Sequence, residues 1–367
     1  MLGWLLSVAS IAAAQVSADV DCGSGNTLAR ALREAQPGDT LRIAGTCPEF
    51  VTITTDRLTL DGLGSAILDA GGQGAAAINI EGAQGVVIRE LTVRNSANGI
   101  LIQRAAAVTL DNVTSEDNGV AGFQIDENAT VRMNNSTSQR NGDNGMSVRR
   151  SANVTMEGSI NISNNGFHGM SIFDAASVVL SNAIATITGN ANIGIFASSV
   201  SAISIQVESE VSVNSNANNG ILVADSSSLR LNSNSSIVTD QNGNNGLVVL
   251  NASSVTSFGM ISATGNTNSG FLAARTSTVE VVEGALTSMN NSVGFALISL
   301  SVSRTSDVAS LTLRNNTSED CFVSENSEWN AFGPVDIGTQ TGCLPDQSNN
   351  AFSIFGHTGA FKIPERQ

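Results

Sequence analysis

Gly99, Gly122, Gly145, Gly169, Gly194, Gly220, Gly246, Gly270 and Gly294 recur at intervals of 23, 23, 24, 25, 26, 26, 24 and 24 residues. Each opens a short alternating stretch, from Gly99-Ile100-Leu101-Ile102 to Gly294-Phe295-Ala296-Leu297. Four residues before every one of these glycines stands an asparagine: Asn95, Asn118, Asn141, Asn165, Asn190, Asn216, Asn242, Asn266 and Asn290. A unit of this length cannot bury its own apolar face, whereas stacked copies can. A buried amide at a turn bonds the backbone of its own turn and of the coil above, which satisfies groups that the bend leaves unpaired. Repeated at the strand spacing of about 4.8 Å, such amides form a structural ladder.

Two further apolar segments fall between successive glycines, such as Val108-Thr109-Leu110 and Val113, or Val178–Leu180 and Ile184–Ile187. Three short strands per turn predict an all-β, three-sided parallel β-helix of about 11–12 coils. Leucine-rich repeats need a leucine framework that is not visible here, and nonapeptide and hexapeptide solenoids have other periods. Composition agrees: Tyr is absent, Lys occurs once (Lys362) and Pro five times, while Gly, Asn, Ser and Thr abound, as tight turns require.

The ends of a solenoid must be capped. Leu28, Ala31, Leu32 and Ala35 share one helical face, Asn26 is placed as N-cap, and Pro37-Gly38 ends the helix, which reads as a lid over the first coil. Val51–Ile53, Leu58–Leu60, Ile78–Ile80 and Val86–Ile88 then build two less regular coils. Residues 1–18 resemble a secretory signal peptide, an apolar run with cleavage patterns ending at Ala14 or Ala18, although no Lys or Arg precedes it. The chain is accordingly divided into a signal peptide 1–18, a cap 19–50, a β-helix 51–316 and a C-terminal tail 317–367. An exported, secreted or periplasmic protein permits disulfides. Cys22 with Cys47 and Cys321 with Cys343 is the simplest of three connectivities. A zinc site is the weaker alternative, since there is no C-x-x-C and the only histidines are His168 and His357.

Cys22-Gly23-Ser24-Gly25, the capping helix, Pro37–Leu41, Gly45-Thr46-Cys47, Val51–Ile53 and Leu58–Gly62, followed by Asn/Gly coils, resemble bacterial right-handed β-helix repeat proteins of the pectate-lyase-like superfamily. The resemblance covers most of residues 20–316. It implies a right-handed coil and says little about activity, because that fold carries lyases, hydrolases, epimerases, adhesins and phage proteins.

Residues two and four beyond each glycine should face outward. The column at plus four runs Gln103, Asp126, Arg149, Phe173, Ser198, Ala224, Leu250, Ala274, Ile298, so the face turns from polar to apolar midway. The polar half gathers Gln103, Arg104, Gln124, Asp126, Glu127, Arg149, Arg150 and Asp174, with His168 in the neighbouring turn. The superfamily resemblance implies catalytic groups on such a face, with Asp126, Arg149, Arg150 and His168 as candidates. Gln103, Arg104, Gln124 and Asp174 are then candidates for substrate contact, and Asp126 with Glu127 for holding calcium. The structural alternative is a set of ordinary cross-strand ion pairs. The Gly-His-Gly and Asp-Pro-His segments of related enzymes are absent.

The apolar half (Phe196, Leu222, Val248, Leu250, Leu272, Ile298) is a contiguous stripe, which the C-terminal tail or another subunit is expected to cover. A net charge of -15 argues against nucleic acid and anionic lipid as partners, and no segment after the first 18 residues is apolar enough to span a membrane. Two readings of function follow. One is a secreted, non-catalytic β-helix with an extracellular or surface role, associated with polysaccharide. The other is a polysaccharide lyase or C5-epimerase acting on a uronate polymer at the Asp126/Arg149 face.

Overall fold

Short runs that alternate apolar with small polar residues form strands here because each places every second side chain on a common interior wall. In the computed structural model, residues 16–324 and 326–338 are described, together with the backbone of the strands Thr341–Gly342 and Ala351–Ile354. The strands that begin near each glycine form one parallel sheet of thirteen, the glycine face. Its register runs without a gap: Ile100, Phe123, Met146, Met170, Ile195, Ile221, Leu247, Phe271 and Phe295 stack as one buried inward column. Two further parallel ladders complete the coil. Long strands such as Ser177–Thr188 bend across the corner between them: Ser177–Leu180 pairs with Ala202–Ile205, and Ile184–Thr188 with Glu210–Asn214. The core is one continuous apolar column from Val20 to Trp329.

The ladder is present, with two corrections. Asn118, Asn141, Asn165, Asn190, Asn216, Asn242 and Asn266 are buried as expected, and each donates its backbone N–H and its Nδ2 to the Oδ1 of the next amide at 2.8–3.2 Å. Asn95 and Asn290 are not members. Ser96 and Asn291 take their places, and the ladder continues through Asn316 to the carboxylate of Asp320. Asn95 instead donates to the carboxylate of Asp69 at 3.0 Å. The residue before each ladder position is left-handed (Asp117, Arg140, Asn164, and likewise Asn95 and Asn290 with φ of 57°), so in those two coils the asparagine at minus four is the turn residue. The glycines are required by the ladder rather than by their dihedrals. A Cβ on Gly122 would lie 2.7 Å from Asn141 Nδ2 and 2.8 Å from the carbonyl of Gly145, the corresponding glycine one coil on.

The ends also differ from expectation. The capping helix is Leu28–Glu34, and its N-cap is Thr27, which accepts from Arg30 N at 3.3 Å, rather than Asn26. Glu49 accepts from Leu28 N and Ala29 N at 2.6 and 2.9 Å, adding the charge that a helix N-terminus favours. Cys22 and Cys47 are joined, tying the cap to the first coil. Cys321 is buried in the core, and its expected partner Cys343 lies outside the described residues. Residues 1–15 of the expected signal peptide lie outside them too, while Ser17–Asp21 is already a strand paired with Thr40–Ala44.

The stretch 317–367 is no separate tail in its described part. Glu319–Val323, Glu328–Ala331 and Val335–Ile337 pair in parallel with the strands of the preceding coil, and Ala351–Ile354 pairs with Glu328–Ala331. The solenoid thus runs past 316. Trp329 is fully buried, its ring 4.8 Å from that of Phe295. The continuation escaped the sequence pattern because Asp320 stands where the other coils have glycine.

Candidate functional site

The outward positions of the glycine face form two columns. At plus two the register gives Thr52, Asn79, Leu101, Gln124, Ser147, Ser171, Phe196, Leu222, Val248, Leu272, Ala296 and Phe322. The change from polar to apolar falls at Phe196, as the spacing predicted.

The polar half is brought together as two joined clusters. In the lower one, Gln103 donates to Asn79 and Glu81 at 3.2 Å, and Arg104 pairs with Glu81 at 2.7 Å. Asn79 and Glu81 were missed from sequence because their coil has Ala77 at the glycine position and no asparagine before it. Periodicity continued one coil backward was the signal that could have found them. In the upper cluster Asp126 is fully buried, and both of its oxygens accept from guanidinium groups: Arg149 Nε at 2.7 Å, and Arg150 through Nε and Nη2. Burial pushes its carboxyl up, but the hydrogen bonds and charges of Arg150 and Arg149 outweigh this and hold it below the usual carboxylate range. Gln124 approaches at 3.5 Å and Glu127 lies 3.6 Å from Arg150, while Asp174 is exposed one coil further on.

This geometry gives Asp126 no open lone pair toward a cation, and two guanidinium charges stand where calcium would bind. Among the described residues, the one group of ligand atoms close enough to hold a metal is Cys22, Cys47 and Glu49, and its two sulfurs are already bonded to each other. His168 lies apart from Asp126, at the ladder turn. It is 6% exposed, accepts from Ile193 N through Nδ1 at 3.3 Å, and packs between the rings of Phe167 and Phe196. Burial lowers its pKa to about 4, so near neutral pH it is an uncharged packing group.

Asp143 was also missed. It is half-buried in the ladder turn beside His168, touches no Arg of the described residues within ion-pair distance, and has its carboxyl raised by burial. Its one side-chain hydrogen bond among the described residues comes from Asn144 at 3.2 Å.

In the apolar half Phe196, Leu222, Leu250, Leu272 and Ile298 are half-buried and Val248 is buried, each stacked on its counterpart in the next coil. The described residues after 316 do not fold back over this stripe, because they extend the stack. Among the described residues no helix is long and apolar enough to cross a membrane.

Parallel coils of this geometry and this glycine-face register define a β-solenoid of the right-handed parallel β-helix class. Residues 76–235 match the family model described as a right handed beta helix region, which fixes the handedness. The chain thus has the fold of the pectate-lyase-like superfamily. The solved A-module of mannuronan C-5 epimerase AlgE6 from Azotobacter vinelandii is similar with a TM-score of 0.57 at 14% identity, over 90% of this chain and 94% of that one. Pectate lyase Pel9A gives 0.41 at 12% identity over 92% and 79% of the two chains. Tailspike protein 3 of bacteriophage CBA120 gives 0.39 at 11% over 93% and 62%. The likeness to the epimerase module is one of fold. No curated protein sequence matches.

Proposed function

We propose that this chain is an exported β-helix that lays the polar half of its glycine face along an extracellular polysaccharide, and that it binds the polymer without transforming it. The observation that carries the reading is the state of the charged groups on that face. A lyase or epimerase needs a base able to take a proton from the sugar ring, positioned in reach of it. Arg149 and Arg150 instead hold the carboxylate of Asp126, and His168 is buried with its Nδ1 occupied. What else lines that face is a row of half-buried amides, Asn79, Gln103 and Gln124, at the spacing of successive coils and suited to sugar hydroxyls, which the buried hydroxyls of Ser147 and Ser171 continue.

The alternative is a uronate lyase or C5-epimerase at the Asp126/Arg149 face, favoured by the fold shared with a mannuronan C-5 epimerase module. One experiment separates the two. The protein is incubated with alginate, polygalacturonate and neutral glucans and mannans, with and without Ca²⁺. Unsaturated ends are read by ultraviolet absorbance, epimerisation by NMR and binding by affinity electrophoresis. Retardation of a polymer that stays chemically unchanged is the expected result. Turnover that disappears in Arg149→Ala and Asp126→Ala would establish the enzyme instead.

A further inference from the structure

On the ladder side of the glycine face, the residue two before each glycine also lines up through the stack. Asp143 N donates to Val120 O at 2.8 Å, Phe167 N to Asp143 O at 2.9 Å, and Asn192 N to Phe167 O at 2.9 Å. Val120, Asp143 and Phe167 therefore stand about 4.8 Å apart along one edge. Val120 and Phe167 are 41% and 43% exposed, so two apolar groups reach solvent with a half-buried carboxylate between them.

The two parts suit one ligand. The Phe167 ring is fixed from behind by His168, centroids 4.0 Å apart, and His168 rests in turn on Phe196 at 5.3 Å. Phe167 is nonetheless 43% exposed, so the ring also meets solvent. Glu81 and Asp126, the half-buried and buried carboxylates elsewhere on the polar half, are bound by arginine, whereas among the described residues Asp143 is met only by the Asn144 amide. Asn144 is itself positioned, since its Oδ1 accepts from His168 N at 3.3 Å. A desolvated carboxylate without a cation gains most from neutral donors, which relieve its lost hydration and bring no counter-charge. A pyranose supplies both halves of the match: a face of C–H groups for the aromatic ring, and vicinal hydroxyls for the carboxylate and amide.

We propose that Asp143, Asn144 and Phe167, bordered by Val120, form a subsite for one neutral pyranose unit at the edge of the glycine face. The assignment rests on the glycan-binding reading above and narrows it, because an uncompensated carboxylate in a chain of net charge -15 repels uronates.

The test uses the full chain with cello-, manno- and xylo-hexaose as neutral probes and a polygalacturonate oligomer as the anionic one, followed by titration calorimetry and saturation-transfer NMR. A neutral hexaose should bind, and Phe167→Ala and Asp143→Ala should each weaken it at least tenfold. Arg132→Ala, on another face of the solenoid, should leave affinity unchanged, with thermal unfolding confirming that each variant is folded. As a readout independent of affinity, the carboxyl carbon of Asp143 should titrate at lower pH with sugar bound, because hydroxyl donors stabilise the anion. If neutral sugar binds undiminished to both edge variants but is lost in a Gln103→Ala/Gln124→Ala double variant, the subsite is wrong and glycan binding stands. Binding of the anionic oligomer alone has the same meaning. Failure of every probe to bind the wild type removes both the subsite and the glycan reading.

Discussion

At the residue scale the sharpest contrast is between neighbours. Asn291 is buried, its Oδ1 accepting from Asn266 N and Nδ2 at 2.8 and 3.0 Å, and its Nδ2 donating to Ala263 O at 3.0 Å. Asn291→Ala leaves several buried groups unpaired, each worth about 1–3 kcal/mol, so a loss of about 3 kcal/mol or more is expected. Asn290→Ala, at a left-handed turn position, should cost only about 1 kcal/mol. Urea midpoints of the two variants check this, and equal losses would contradict the ladder assignment. His168 makes a pH prediction. Its folded pKa of about 4 lies below the unfolded 6.5, so in that window the unfolded chain binds a proton that the folded chain does not. Its contribution is therefore complete above pH 6.5 and is lost as pH falls toward 4, by about 3 kcal/mol in all. His168→Gln should flatten the dependence of the urea midpoint over that range. A slope that survives unchanged would place the titration elsewhere.

At the scale of elements, the boundaries carry the predictions. A chain ending at 316 loses the coil that puts Trp329 on Phe295 and bares the core beneath it. Such a truncation should aggregate or melt well below the full chain in thermal scans, whereas a detachable tail would leave melting unaltered. At the other end Ser17 and Ala18 form two of the five pairs between Ser17–Asp21 and Thr40–Ala44. Cleavage after Ala18 would leave three of that strand's five residues, so an exported form should begin after Ala14, which intact-mass measurement of secreted protein reads directly. The strand grammar was legible because a period of 24 or so residues leaves glycine and asparagine at fixed offsets. It failed in the coils where one turn is a residue shorter, at Ser96 and Asn291, because a count from the glycine cannot see which of two adjacent residues turns inward. The capping residue was misplaced for a similar reason: Asn26 and Thr27 are both good caps, and only the path of the chain selects Thr27.

For the whole molecule, stability is carried by contacts between neighbouring coils, so opening should be graded rather than uniform. Hydrogen exchange should be slowest in coils joined by the continuous amide ladder from Asn118 to Asn316 and faster toward both ends; uniform protection would mean a single cooperative unit. The sequence by itself determined the repeat, the three strands per coil, the inward and outward columns and the change of the glycine face from polar to apolar, because each follows from residue spacing along the chain. Only the tertiary structure decided what the charged residues do. Asp126 is 23 and 24 residues from the arginines that bind it, and Asp143 lies one coil from Phe167 with no arginine of the described residues beside it, relations set by the stacking of coils rather than by neighbours in sequence. Whether a carboxylate is neutralised, solvated or left exposed to a ligand depends on the groups one coil away, and that distance is fixed only when the coils pack.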